Sequence, residues 1–107
     1  MINIEEIRKN PEIQDWNKIS WSLYITEDFK REFKNYINWN IISYCDNIIP
    51  IDIIREFQDK LDWNDLSFKQ EFSIENISEF SNKINFKYIM ENKKVSDKVK
   101  EFCRIFL

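Results

Sequence analysis

The chain has 107 residues, a net charge of −3, 43% hydrophobic and 16% aromatic residues, and no glycine, alanine or histidine. That length fits one domain with a modest core, and the apolar share is high enough to offset ordering entropy, which excludes a disordered chain. Without glycine, tight hairpin turns and phosphate-cradling loops lose their usual residue; without histidine, the usual general base and zinc ligand are missing. Isoleucine, asparagine and lysine are abundant, the bias of an AT-rich coding sequence, which points to a low-GC bacterium, a phage or a large DNA virus.

Residues 1–15 read as a degenerate half-unit, with Asn3 at a cap position, Ile7 facing inward and Pro11 breaking the pattern. From there the chain falls into register on Trp16, Trp39, Trp63 and Phe86, spaced 23, 24 and 23 residues apart. Asp15, Asn38, Asp62 and Asn85 precede these aromatics, and Asp and Asn are strong helix N-caps because the side-chain oxygen accepts an orphan backbone N–H. Before the caps stand Gln14, Ile37, Leu61 and Ile84; four residues after them stand Ile19, Ile42, Leu66 and Ile89. An apolar residue on each side of the cap is a hydrophobic staple, which every unit but the first satisfies. Each unit therefore opens with a short helix.

A second helix follows, predicted to be the longer one. Its caps are Thr26, Ser73 and Ser96, and the second unit places Pro50 at the first helical position. Its apolar face is Phe29, Phe33, Tyr36 and Ile37, then Ile53, Ile54, Phe57 and Leu61, then Ile77, Phe80 and Ile84, then Val99, Cys103, Phe106 and Leu107. Trp39 and Trp63 are expected to be largely buried, along with Phe33, Phe57 and Phe80. The expected fold is all-α and single-domain. Four short helical-hairpin repeats, residues 16–38, 39–62, 63–85 and 86–107, stack into a small solenoid or compact helical bundle.

The segments Trp16-Asn17-Lys18-Ile19-Ser20, Trp39-Asn40-Ile41-Ile42-Ser43 and Trp63-Asn64-Asp65-Leu66-Ser67 resemble the W-x-x-I-S units of short tandem repeats found in phages, large DNA viruses and low-GC bacteria. The likeness covers about residues 15–85; the fourth unit departs from it, with Phe86 for tryptophan and Met90 for serine. The resemblance implies no activity and no catalytic residues. It does imply a viral or mobile-element setting, in which small proteins act by binding host proteins.

No pattern here points to an enzyme, a cofactor or a metal. Asp59, Asp62 and Asp65 cluster in sequence, but Asp62 is a cap and the other two fall on polar faces. Cys45 and Cys103 lie inside predicted helices and read as free thiols. Charges interrupt every apolar stretch, so no membrane span is expected, and Met1 to Glu6 carries no basic-then-apolar leader; the expected location is cytoplasmic.

Two surfaces are candidates for function. Trp21, Tyr44 and Phe68 lie five residues after the three tryptophans, roughly opposite the buried face. Either the first helix is buried on two sides, or these rings form an exposed ladder that binds a partner. The second surface is charge. Residues 83–107 hold Lys83, Lys87, Lys93, Lys94, Lys98, Lys100 and Arg104 against Glu91, Asp97 and Glu101, a net +4, which leaves −7 for residues 1–82. Lys87, Lys93, Lys94 and Lys98 would contact nucleic acid or an acidic partner, or else form a solvated face. The expected function is a non-enzymatic protein-interaction module, in a specific version a phage or mobile-element inhibitor of a host defence nuclease of the anti-CRISPR kind. The alternatives are a nucleic-acid or nucleoprotein binder, or a structural homo-oligomer docking through Leu107.

Overall fold

The structure, a computed structural model, describes residues 3–22, 25–45 and 48–107. Among the described residues every regular element is helical. Helix α1 (Ile4–Lys9) and a 3-10 turn (Pro11–Ile13) come first, followed by four pairs of a first and a second helix. The pairs are α2 (Trp16–Ser20) with α3 (Glu27–Glu32), α4 (Trp39–Cys45) with α5 (Ile51–Glu56), α6 (Trp63–Lys69) with α7 (Ile74–Glu79), and α8 (Phe86–Glu91) with α9 (Asp97–Cys103). A 3-10 turn, Arg104–Phe106, follows α9.

The caps set the helix starts. The side chains of Asp15, Asn38, Asp62 and Asn85 each accept a first-turn backbone N–H at 3.0–3.3 Å. Asn3, Thr26, Ser73 and Ser96 do the same for α1, α3, α7 and α9. Such caps contribute about 1 kcal/mol each, which matters for helices of five to seven residues that cannot persist alone. Among the described residues no backbone φ is positive, so the connections need no glycine.

First helices pack on first helices in the order α2, α4, α6, α8, and α7 packs on α9, so consecutive pairs form layers along one axis. The molecule measures 50 × 20 × 17 Å, and its radius of gyration of 15.6 Å exceeds the roughly 13 Å of a compact chain of this length. It is a short rod. The core runs its whole length, from Ile7 through Phe29, Phe33, Ile42, Ile54, Phe57, Leu66, Ile77, Phe80 and Ile89 to Val99 and Cys103.

Several expectations change in detail. The second helices are not consistently longer than the first: α3 and α9 exceed α2 and α8 by one residue, whereas α5 and α7 fall one short of α4 and α6, and α3, α5 and α7 end at Phe33, Phe57 and Phe80. There the carbonyls of these residues instead accept bonds from Tyr36 and Ile37, from Lys60 and Leu61, and from Lys83 and Ile84. Pro50 sits at the cap of α5, one residue before its first turn. Trp39 is buried and stacks on Phe57 at 4.5 Å, but Trp63 is half-buried. Tyr36 is partly exposed and lies against Trp16 at 5.2 Å. Leu107 is 65% exposed and Phe106, stacked on Phe86 at 4.5 Å, is also exposed. The matching residues Ile37, Leu61 and Ile84, each just before the next unit's cap, are buried.

Three sets of bonds fasten the layers. The Ser20, Ser43 and Ser67 hydroxyls donate to the carbonyls of Trp16, Trp39 and Trp63 at 2.6–2.8 Å. Each also accepts the backbone N–H of the next unit's cap residue, Asn38, Asp62 or Asn85, at 2.8–3.0 Å. The indole Nε1 of Trp16, Trp39 and Trp63 donates 2.8 Å to the carbonyl five residues earlier, on Pro11, Lys34 and Gln58. On the outer edge Arg8 pairs with Glu32, Arg31 with Glu56 and Arg55 with Glu79, one unit apart each time.

Candidate functional site

The five-residue offset places the two sides of a first helix differently. Its core side carries Ile42, Leu66 and Ile89, and its flanks meet the neighbouring first helices. Second helices cover only the core side, so the remaining side faces solvent. Trp21, Tyr44 and Phe68 lie there, at 53%, 55% and 47% exposure, and double burial of the first helix does not occur.

The rings form a row across layers. Trp21 meets Tyr44 edge-to-face at 6.0 Å, and Phe68 meets Tyr88 edge-to-face at 6.4 Å. Tyr88, which extends the row into the fourth unit, was not singled out in the sequence. It lies two residues after Phe86 rather than five, and the stagger between units brings it to Phe68. Lys69 holds its ammonium 4.1 Å from the centre of the Tyr44 ring and donates to the Tyr44 carbonyl, tying the second and third layers together.

A second row runs beside the rings. Asn17, Asn40 and Asn64 are exposed and stand four residues before Trp21, Tyr44 and Phe68, hence one helical turn away on the same face. Their orientation is partly set by the next cap. The Asn38 Oδ1 is used by backbone N–H groups, so its Nδ2 must donate, and it does so to Asn17 Oδ1 at 2.9 Å. Asn85 likewise donates to Asn64 Oδ1 at 3.0 Å. Asn17 and Asn64 are thus each held through Oδ1 by the next cap's amide. In the second layer the next cap is Asp62, whose side chain has no N–H to donate, so Asn40 is not held in that way.

Lys87, Lys93, Lys94 and Lys98 are all exposed, but they do not form one patch. Lys93 and Lys94 line a pocket with Phe68, Lys69, Glu91 and Asn92. Lys94 and Lys98 also border a groove on the second-helix side, with Ile48, Pro50, Phe72 and Ile74. Lys87 lies beside Lys83, Phe86 and Phe106 in a separate depression. The floor beneath the first pocket is rigid, since buried Asn92 donates 2.9 Å to the Ser67 carbonyl and 2.8 Å to that of Gln70.

The aspartates are structural. Asp62 caps α6 and Asp59 pairs with Lys83 at 2.9 Å. Partial burial, together with the neighbouring Asp62 charge, raises Asp65 above the ordinary carboxylate value. Glu32 and Glu79 are lowered by the guanidinium groups of Arg8 and Arg55 that hydrogen-bond to them. Burial raises the Cys103 thiol. Among the described residues no three His, Cys, Asp or Glu side chains gather as a metal site would require, and no helix is long and apolar enough to cross a membrane.

No protein-family model, curated protein or solved structure matches the chain.

Proposed function

We propose that this chain is a non-enzymatic interaction module that binds a protein partner along the face carrying Trp21, Tyr44, Phe68 and Tyr88. The observation that supports this is the exposure of large rings at recurring positions of successive layers, where a monomeric surface normally carries polar groups. Large aromatics supply contact area with few rotors to freeze and dominate interface energies. Their backbones are already fixed by the serine bonds between layers, so little further ordering is needed on binding. The W-x-x-I-S resemblance carries the finer reading, a phage or mobile-element protein directed at a host defence nuclease.

The test uses Tyr44→Ala and Phe68→Ala, with Glu75→Ala on the second-helix layer as a control. Because both rings are exposed, thermal stability should change little. Capture of a partner from host extract, identified by mass spectrometry, should be lost with both ring variants and kept with the control. If the ring variants retain the same partner, the row is not the interface. Light scattering of the purified chain distinguishes self-association from capture of another protein.

A further inference from the structure

The two ends of the rod differ, and the Arg–Glu ladder shows how. Counted from the second-helix caps Asn3, Thr26, Pro50, Ser73 and Ser96, the fifth position pairs with the following layer and the sixth with the preceding one. This gives Arg8–Glu32, Arg31–Glu56 and Arg55–Glu79. At the two end positions of the ladder the signs are exchanged. The sixth position of α1 is Lys9, where α3, α5 and α7 have glutamate; the fifth position of α9 is Glu101, where α1, α3 and α5 have arginine. Both are exposed. A further layer with the usual glutamate, stacked on α9, would meet like charge at Glu101, whereas Lys9 of a second copy would meet its opposite.

The apolar residues match the same arrangement. Nine residues after their caps stand Asn35, Asp59 and Asn82, all exposed and polar, but in the last layer Ile105 takes that position and is 73% exposed. Leu107 is exposed beside it, although an end layer normally turns a polar face outward. At the other end of the rod a hollow of about 360 Å³ opens between α1 and α2, lined by Ile7 and Ile19 together with Glu6, Gln14 and Lys18. One end thus carries apolar projections and a carboxylate, the other an apolar-floored hollow and an ammonium.

We infer that the chain associates head to tail with further copies of itself, the α9 end of one copy seated on the α1 end of the next. Ile105 and Leu107 enter the hollow between α1 and α2, and Glu101 pairs with Lys9 of the next copy. The contact joins two unlike surfaces, so each added copy leaves one of each free, and the assembly grows in series instead of closing at a dimer. The aromatic row runs across the layers on the side of the rod, so this contact is separate from the partner-binding face and leaves that face open.

Sedimentation velocity of the whole chain across a wide range of concentration is the test. The mean mass should rise continuously past that of a dimer. Leu107→Glu and Lys9→Glu should each weaken association at least about tenfold, while circular dichroism melts stay close to the unaltered chain because both residues are exposed. At concentrations where neither variant associates alone, an equimolar mixture of the two should form a dimer and stop, since each keeps the face that the other has lost. Exchanging both charges in one chain, Lys9→Glu with Glu101→Lys, should restore association. Tyr44→Ala should associate like the unaltered chain. A chain that stays monomeric at every concentration would overturn the inference. So would a Lys9→Glu chain that still dimerises undiminished, the result expected of two α9 ends meeting each other. Failure of the exchanged chain to recover, or loss of association in Tyr44→Ala, which would move the contact to the aromatic row, would overturn it equally.

Discussion

Replacing Ser43 by alanine removes one oxygen and leaves two backbone groups to account for. The hydroxyl is fully buried, donates 2.8 Å to the Trp39 carbonyl and accepts the Asp62 N–H at 2.8 Å. Loss of the first bond costs little, since a serine bonded back to the carbonyl four residues earlier does not strengthen a helix. Loss of the second leaves a partly buried N–H with no acceptor, at a cost of about 1–3 kcal/mol. For a domain of this size, each kcal/mol lowers the midpoint by roughly 4–8 °C. Ser78→Ala is the internal control. Ser78 makes the same backward bond, 3.1 Å to the Ile74 carbonyl, but is exposed and fastens no neighbouring layer. Its change should stay within about 0.5 kcal/mol. Thermal and urea unfolding followed by circular dichroism measure both. Equal midpoints for Ser43→Ala and Ser78→Ala would refute the fastening role.

Phe57→Ala removes the ring stacked on Trp39 in the middle of the core and should cost about 3–5 kcal/mol in urea unfolding. Trp63→Phe copies what Phe86 is in the fourth unit. It deletes the bond to the Gln58 carbonyl and should cost on the order of 1 kcal/mol, with the fold retained in the far-ultraviolet spectrum. Acid should weaken the outer edge. Glu32 and Glu79 are lowered below the ordinary 4.5, so their stabilisation is complete above that value and is lost as pH falls through their lowered values. Arg55→Gln should flatten that part of the stability–pH curve. Asp65 has the opposite sign, because its carboxylate is raised above 3.8; Asp65→Asn should raise the midpoint at neutral pH.

The features legible in the sequence were those that act within one unit. A cap and a staple join residues fewer than six apart, so Asn38, Ile37 and Ile42 announced a helix start without reference to any neighbour. The serine bonds join residues 18 or 19 apart, and their meaning lies in the next cap's N–H, which no side-chain pattern displays. A signal was nevertheless present in the recurrence of Ser20, Ser43 and Ser67. The Arg–Glu ladder was likewise written in the spacing of Arg8, Arg31 and Arg55 from Glu32, Glu56 and Glu79. Exposure of Trp21, Tyr44 and Phe68 was not legible. It depends on where the second-helix layer stops, and helical phase alone says only that these rings oppose the core. The grouping of Lys93 with Phe68, apart from Lys87, depends on the same packing.

The fasteners have a consequence for how such a chain changes length over generations. The first and second layers each offer the next the same serine acceptor and the same guanidinium, and the second and third receive them through the same cap N–H and carboxylate. Excising the codons for residues 39–62 would bring Asn38 next to Trp63, with Ser20 still bonded to the Asn38 N–H and Arg31 now facing Glu79. An in-frame duplication of the same segment would add a layer with its donors and acceptors matched at both junctions. Recombination between copies of the unit thus lengthens or shortens the rod while leaving its internal bonding complete, and the outward rings change in number by one.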